Sequence, residues 1–133
     1  MRSDTRTVTI DASPEAVLAF VCDPANLPRW AIGFAKGVRR EGGRWSVTTA
    51  QGDVGVSVDV DRRSGTVDFH MEPAPGVEAV AYSRVVPNGT GAEYVFTQFQ
   101  QPGTPDEVFA QLSEAVAHEL VALKAVMEVV CPL

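Results

Sequence analysis

Phe109, Leu112, Val116, Leu120, Leu123 and Met127 recur at three- and four-residue steps, and this seam constrains the fold more than any other feature of the chain. The spacing puts all six on one face of a continuous helix, which runs from just beyond Pro102-Gly103-Thr104-Pro105 to about Val130. A stripe that long needs an equally long apolar partner, and the helix can cross a whole sheet. His118 projects to the opposite side with Gln111 and Glu114, where solvent is expected. Val121 and Val129 also fall off the seam, a pattern that fits contact with a second copy of the chain in a homodimer.

The partner is legible upstream. From Phe34 to Gln101 the helical period disappears, and short alternating runs are separated by glycine-bearing turns, as in consecutive antiparallel strands. Six are expected: Ala35 to Glu41, Arg44 to Ala50, Gly52 to Asp61, Thr66 to Glu72, Val77 to Val86 and Ala92 to Gln101. Val54, Val56, Val58 and Val60 alternate with Gly55, Ser57, Asp59 and Asp61, so one face is dry and the other wet. Val67, Phe69 and Met71 repeat the pattern, which sends His70 outward with Asp68 and Glu72.

Gly42-Gly43 suits a two-residue hairpin, because primed turns need positive φ at positions where glycine has no steric penalty. The register then sets Glu41 against Arg44 as an ion pair, Arg40 against Trp45, and Val38 against Val47. The same reasoning with a turn at Asn88-Gly89 sets Arg84 against Glu93 and Ser83 against Tyr94.

Ahead of these strands, Val8 to Asp11 alternates as a first strand and leads into two helix starts, Ser13-Pro14-Glu15 and Asp23-Pro24. Ser13 and Asp23 can accept from free amide protons, and each proline sits where its missing N–H costs nothing. Val17, Leu18, Phe20 and Val21 give the first helix an apolar face; the second ends near Trp30.

With 133 residues and 45% apolar content, the chain can build one real core, so a single domain over residues 1–133 is expected. No apolar run approaches the roughly 20 residues that span a bilayer, and MRSDTRT lacks a secretory apolar stretch, which reads as a cytoplasmic chain without stable membrane insertion. A formal charge of −6 argues against nucleic-acid binding, and Arg39, Arg40 and Arg44 read as a solvated hairpin edge. Cys22 and Cys131 have no metal-ligand spacing; no metal or cofactor is expected.

The ordered set Ser13-Pro14-Glu15-Ala16-Val17, Asp23-Pro24, Leu27-Pro28-Arg29-Trp30, Glu41-Gly42-Gly43-Arg44-Trp45, Asn88-Gly89-Thr90-Gly91 and the final helix resembles the SRPBCC superfamily. That superfamily includes START lipid-transfer domains, the birch-pollen-allergen family and the polyketide cyclase/dehydrase family. The resemblance implies an α+β helix-grip fold: a seven-stranded antiparallel curved sheet wrapped around the long C-terminal helix, with two short helices between the first two strands. It also implies a cavity between sheet and helix for a small hydrophobic or amphipathic molecule, lipid-like or aromatic and polyketide-like.

Residues expected at that cavity are Trp30 and Phe34 at its mouth, Phe69 and Met71 on one strand, Tyr94, Phe96 and Gln98 on the last strand, and Val116, Leu120 and Leu123 on the helix. Ligand binding without chemistry is the first expectation. The alternative is a polyketide cyclase/dehydrase-like enzyme in which Tyr94, Gln98, Arg84 or His70 orients substrate and moves a proton. That alternative gains if Tyr82 and Arg84 face inward in place of Ser83. No inward-pointing acid and base pair is apparent in the strands or the helix seam.

Overall fold

The computed structural model describes residues 1–133. Strand β1 (Ser3–Ile10) leads into helix α1 (Pro14–Val21), a single 3₁₀ turn (Pro24–Asn26) and the one-turn helix α2 (Leu27–Trp30). Six strands follow: β2 (Gly37–Glu41), β3 (Arg44–Thr49), β4 (Gly52–Asp61), β5 (Thr66–Ala74), β6 (Val77–Asn88) and β7 (Gly91–Phe99). Helix α3 (Asp106–Val130) closes the chain. The strands form one antiparallel sheet in the order β1-β7-β6-β5-β4-β3-β2, so β1 returns to pair with the last strand. This curved seven-stranded sheet, gripping a long C-terminal helix, is the helix-grip fold.

Local chemistry accounts for the early turns. Ser13 Oγ accepts from the Ala16 amide at 3.2 Å, and Asp23 Oδ1 accepts from the Ala25 amide at 3.0 Å, with a proline at the first helical position in each case. Gly42 and Gly43 both take positive φ, so the β2–β3 hairpin has the expected turn and Val38 lies against Val47. Arg40 stacks over Trp45, 5.5 Å from the ring centre. Glu41, however, binds Arg39 instead of Arg44, and Arg39 also binds Asp53 on β4 at 2.6 Å. Residues two apart share a strand face, and Arg39 reaches two carboxylates there.

Three further expectations are corrected. Strand β1 begins at Ser3, well before Val8, because its edge position is held by polar pairs: Thr9 donates to Glu93 at 2.7 Å, and Arg6 donates to Asp4 at 3.1 Å. Strand β2 starts at Gly37; Ala35 instead closes the turn after α2, its amide bonded to the Ala31 carbonyl at 2.7 Å. The β6–β7 turn is Gly89-Thr90, with Gly89 at positive φ, so Asn88 pairs with Gly91. Arg84 consequently lies against Val95 and Ser83 against Phe96. The shift is even, so no side chain changes face. Arg84 stays on the outer surface and donates to the Ser64 carbonyl at 2.9 Å.

The core lies between the inner sheet face and the helices. Ile10, Val47, Val56, Val67, Phe69, Ala81, Val85 and Tyr94 supply the sheet side; Val116, Leu120, Leu123 and Met127 supply α3. Leu112, near the start of the seam, is 48% exposed, and Val121 and Val129 on the far side of α3 are more exposed still. No helix is long and apolar enough to cross a membrane.

Candidate functional site

The inner layer contains too little side-chain volume to close. Ala79 and Ala81 on β6, Ala115 on α3, and Ala31 and Gly33 in the loop after α2 are small, and a cavity of about 400 Å³ lies among them. Its walls are mainly apolar and include Trp30, Phe34, Val56, Phe69, Met71 and Phe96. A volume of that order falls within the roughly 300–1,000 Å³ of small-molecule sites. Its rim includes Ala50-Gln51 between β3 and β4, Phe99 at the end of β7, Gln101 just beyond it, and the exposed Leu112.

Of the ten side chains expected at the cavity, seven line it: Trp30, Phe34, Phe69, Met71, Phe96, Gln98 and Val116. Tyr94, Leu120 and Leu123 do not. They are packed into the closed part of the core, where α1, β7 and the C-terminal half of α3 leave no space. Trp30 is an interior wall and not a mouth residue: it is 3% exposed, edge-on to Tyr94 at 6.0 Å and tilted against Phe69 at 6.3 Å. These aromatic contacts explain why α2, only one turn long, holds its position.

The cavity also holds a carboxyl group absent from the expected set. Glu119 is 7% exposed, and its Oε2 accepts from the backbone amides of Gly33 and Phe34, each at 3.0 Å. Oε1 has no protein hydrogen bond. Burial pushes the Glu119 pKa up to about 7, although the two amides and the nearby Lys36 charge pull the other way. Gly33 eases this close approach, since a Cβ there would lie a tight 3.3 Å from both Ala115 Cβ and Glu119 Oε2. One sequence signal was available: Glu119 lies three residues after Val116 and four before Leu123, on the seam's side of the helix.

Three interior polar atoms lack protein partners: Trp30 Nε1, Tyr94 Oη and Gln98 Nε2. Burial raises the Tyr94 pKa, the neighbouring Ser83 hydroxyl opposes the shift, and the Glu119 charge adds to it. The polar residues considered for an enzyme divide by face. Ser83 is buried and donates to the Val67 carbonyl at 2.7 Å, whereas Tyr82 is 46% exposed and Arg84 is outside. His70 is also on the outer face, between Glu78 at 2.7 Å and Asp59 at 2.9 Å. The cavity therefore gains neither a cation nor a phenol.

A family model described as polyketide cyclase / dehydrase and lipid transport matches residues 1–128. The chain belongs to this family. No curated protein matches it in sequence. Solved structures similar to this polyketide cyclase/dehydrase and lipid transport family member include the di-domain ARO/CYC BexL from the BE-7585A biosynthetic pathway, at 21% identity and a TM-score of 0.77. That match covers 98% of this chain and 47% of BexL. XoxI from Bacillus cereus matches with a TM-score of 0.77 at 15% identity, covering 95% of each chain. A START superfamily protein from Mycobacterium smegmatis matches with a TM-score of 0.72 at 16% identity, over 95% of this chain and 97% of that one. At such identities the likeness is one of fold.

Proposed function

We propose that this protein binds a small hydrophobic or amphipathic molecule, lipid-like or aromatic and polyketide-like, between the sheet and α3. The observation that carries the reading is the cavity of about 400 Å³, with apolar walls and an opening at Leu112 and Phe99. Interiors normally pack at crystal-like density, and a space this large is filled by a guest when one is available. Native mass spectrometry of freshly purified protein, followed by a thermal-shift screen of long-chain alcohols, fatty acids and aromatic polyketides, tests it. A bound species or a ligand-dependent rise in Tm supports the reading. No bound mass and no shift with any class overturns it.

Glu119 favours a second reading, a polyketide cyclase/dehydrase-like enzyme. A carboxyl group that titrates near pH 7 suits taking a proton from a carbon flanked by two ketones. Trp30 and Phe69 would hold an aromatic or folded chain beside it. With a poly-β-ketone mimic, Glu119→Gln is expected to lower turnover by about a hundredfold, within the range for loss of a general base. Equal rates for the two proteins would leave the binding reading alone.

A further inference from the structure

The polar groups of the cavity are one-sided in charge. Its walls contain no lysine, arginine or histidine. Of its two carboxylates, Asp53 is ion-paired with Arg39 at 2.6 Å, and Glu119 has no ion-pair partner. Lys36, the closest influence of opposite charge, lies outside the lining and donates to the Ile32 carbonyl at 3.2 Å. Two backbone amides occupy Glu119 Oε2, so Oε1 is the acceptor left for a guest. Gln98 and Trp30 lie in the same lining as Glu119 and bring no charge to it, and their Nε2 and Nε1 atoms are covered by the surrounding side chains.

We infer that the ligand is an uncharged, hydroxyl-bearing molecule, an alcohol, phenol or enol, and that the cavity rejects carboxylates. This rests on the ligand-binding reading above and adds the chemistry of the head group. A hydroxyl donates a hydrogen bond without bringing a charge, which matches one free carboxylate oxygen in a wall that holds no cation. A carboxylate in the same place donates nothing, meets no cation, and, once Glu119 is ionised above about pH 7, sets a second negative charge beside it in a low-dielectric space. Free fatty acids therefore fit the volume of the cavity and fail its electrostatics.

The test uses one apolar body with three heads: 2-naphthylmethanol, its methyl ether and 2-naphthoic acid, measured by calorimetry at about pH 8.5, where ordinary carboxyl groups are ionised. The alcohol is expected to bind at least about tenfold more tightly than the acid, with the ether between them because it lacks only the donor. In Glu119→Gln the gap between alcohol and acid is expected to narrow to roughly threefold or less, since the repelling charge is gone while a side-chain oxygen still meets the two amides. Circular dichroism establishes that the variant is folded. Equal or tighter binding of the acid to the wild-type protein overturns the head-group inference and leaves cavity binding standing. Failure of all three compounds to bind overturns the head-group inference, and the binding reading is then decided by the wider screen above.

Discussion

Glu119 Oε2 lies 3.0 Å from the amide nitrogen of Phe34, so a buried carboxylate on the long helix anchors the loop that follows α2. The neighbouring Gly33 amide binds the same oxygen. This arrangement makes stability depend on pH. The Glu119 pKa is raised from 4.5 to about 7 by burial, so the folded protein holds a proton that the unfolded chain has already released. Stability is full below about pH 4.5, falls as pH rises to about 7, and is level above that, by on the order of 3 kcal/mol for this group. Glu119→Gln, which keeps an acceptor for both amides and carries no charge, is expected to lack that slope and to exceed wild type in stability at pH 8. Urea unfolding across pH 4 to 9 checks it; parallel curves for the two proteins would remove the group from the account.

A second titration lies outside the core. Glu78, the main cause, and Asp59 hold the His70 pKa above its usual value, against partial desolvation. A raised histidine value stabilises the fold below the unfolded pKa of 6.5, and the contribution is lost as pH rises through the folded value. His70→Gln should flatten the stability profile in that upper window and leave the Glu119 window unchanged. The His70 ring protons, followed by NMR, should titrate above the unfolded value. A midpoint at or below it would break the assignment. Because the ring contacts only outer-face carboxylates, ligand affinity should not change.

Tyr94 gives the opposite sign from most core substitutions. Its ring is fully buried, while its hydroxyl lacks a hydrogen-bond partner. Removing an unsatisfied hydroxyl and keeping the ring removes a desolvation cost, so Tyr94→Phe should be neutral or more stable by up to about 1 kcal/mol. Trp30 remains packed edge-on against the ring. Chemical denaturation measures the change, and a loss above about 1 kcal/mol would mean that the hydroxyl is bonded in solution, to the neighbouring Ser83 hydroxyl or through a buried water.

Most of the frame could be read from residues whose local chemistry admits one outcome. Ser13-Pro14, Asp23-Pro24 and Gly42-Gly43 specify caps and a turn without tertiary help. The α3 seam and the valine alternation of β4 show which faces are dry. Strand β1 was harder because its early inner-face positions are Asp4 and Arg6, which satisfy each other and carry no apolar period. The Asn88-Gly89-Thr90-Gly91 segment allows two turns that differ by an even shift; backbone pairing chooses between them, and composition does not. Glu119 was hidden for a different reason. A single glutamate on a helix is normally solvated, and what buries this one is the amide pair of Gly33 and Phe34, supplied by a loop 85 residues away in sequence.

The same long-range logic shapes the cavity, which exists through side chains that are missing. Ala81 lies on the inner face of β6 opposite Phe69, is 4% exposed, and lines the cavity. Ala81→Leu adds three carbon atoms on a wall that borders about 400 Å³ of open space, so the usual cost of overpacking, about 1–3 kcal/mol, should not apply. The added atoms leave water for an apolar surface, a gain of roughly 0.8 kcal/mol per methylene if burial is complete. The variant should therefore melt at the wild-type temperature or a few degrees above it, while losing affinity for any ligand that stabilises the wild type. Calorimetric melting of both proteins, each with and without that ligand, separates the effects. A drop in Tm of the unliganded variant would mean that β6 and Phe69 already close on each other in solution, leaving no room for a guest at this wall.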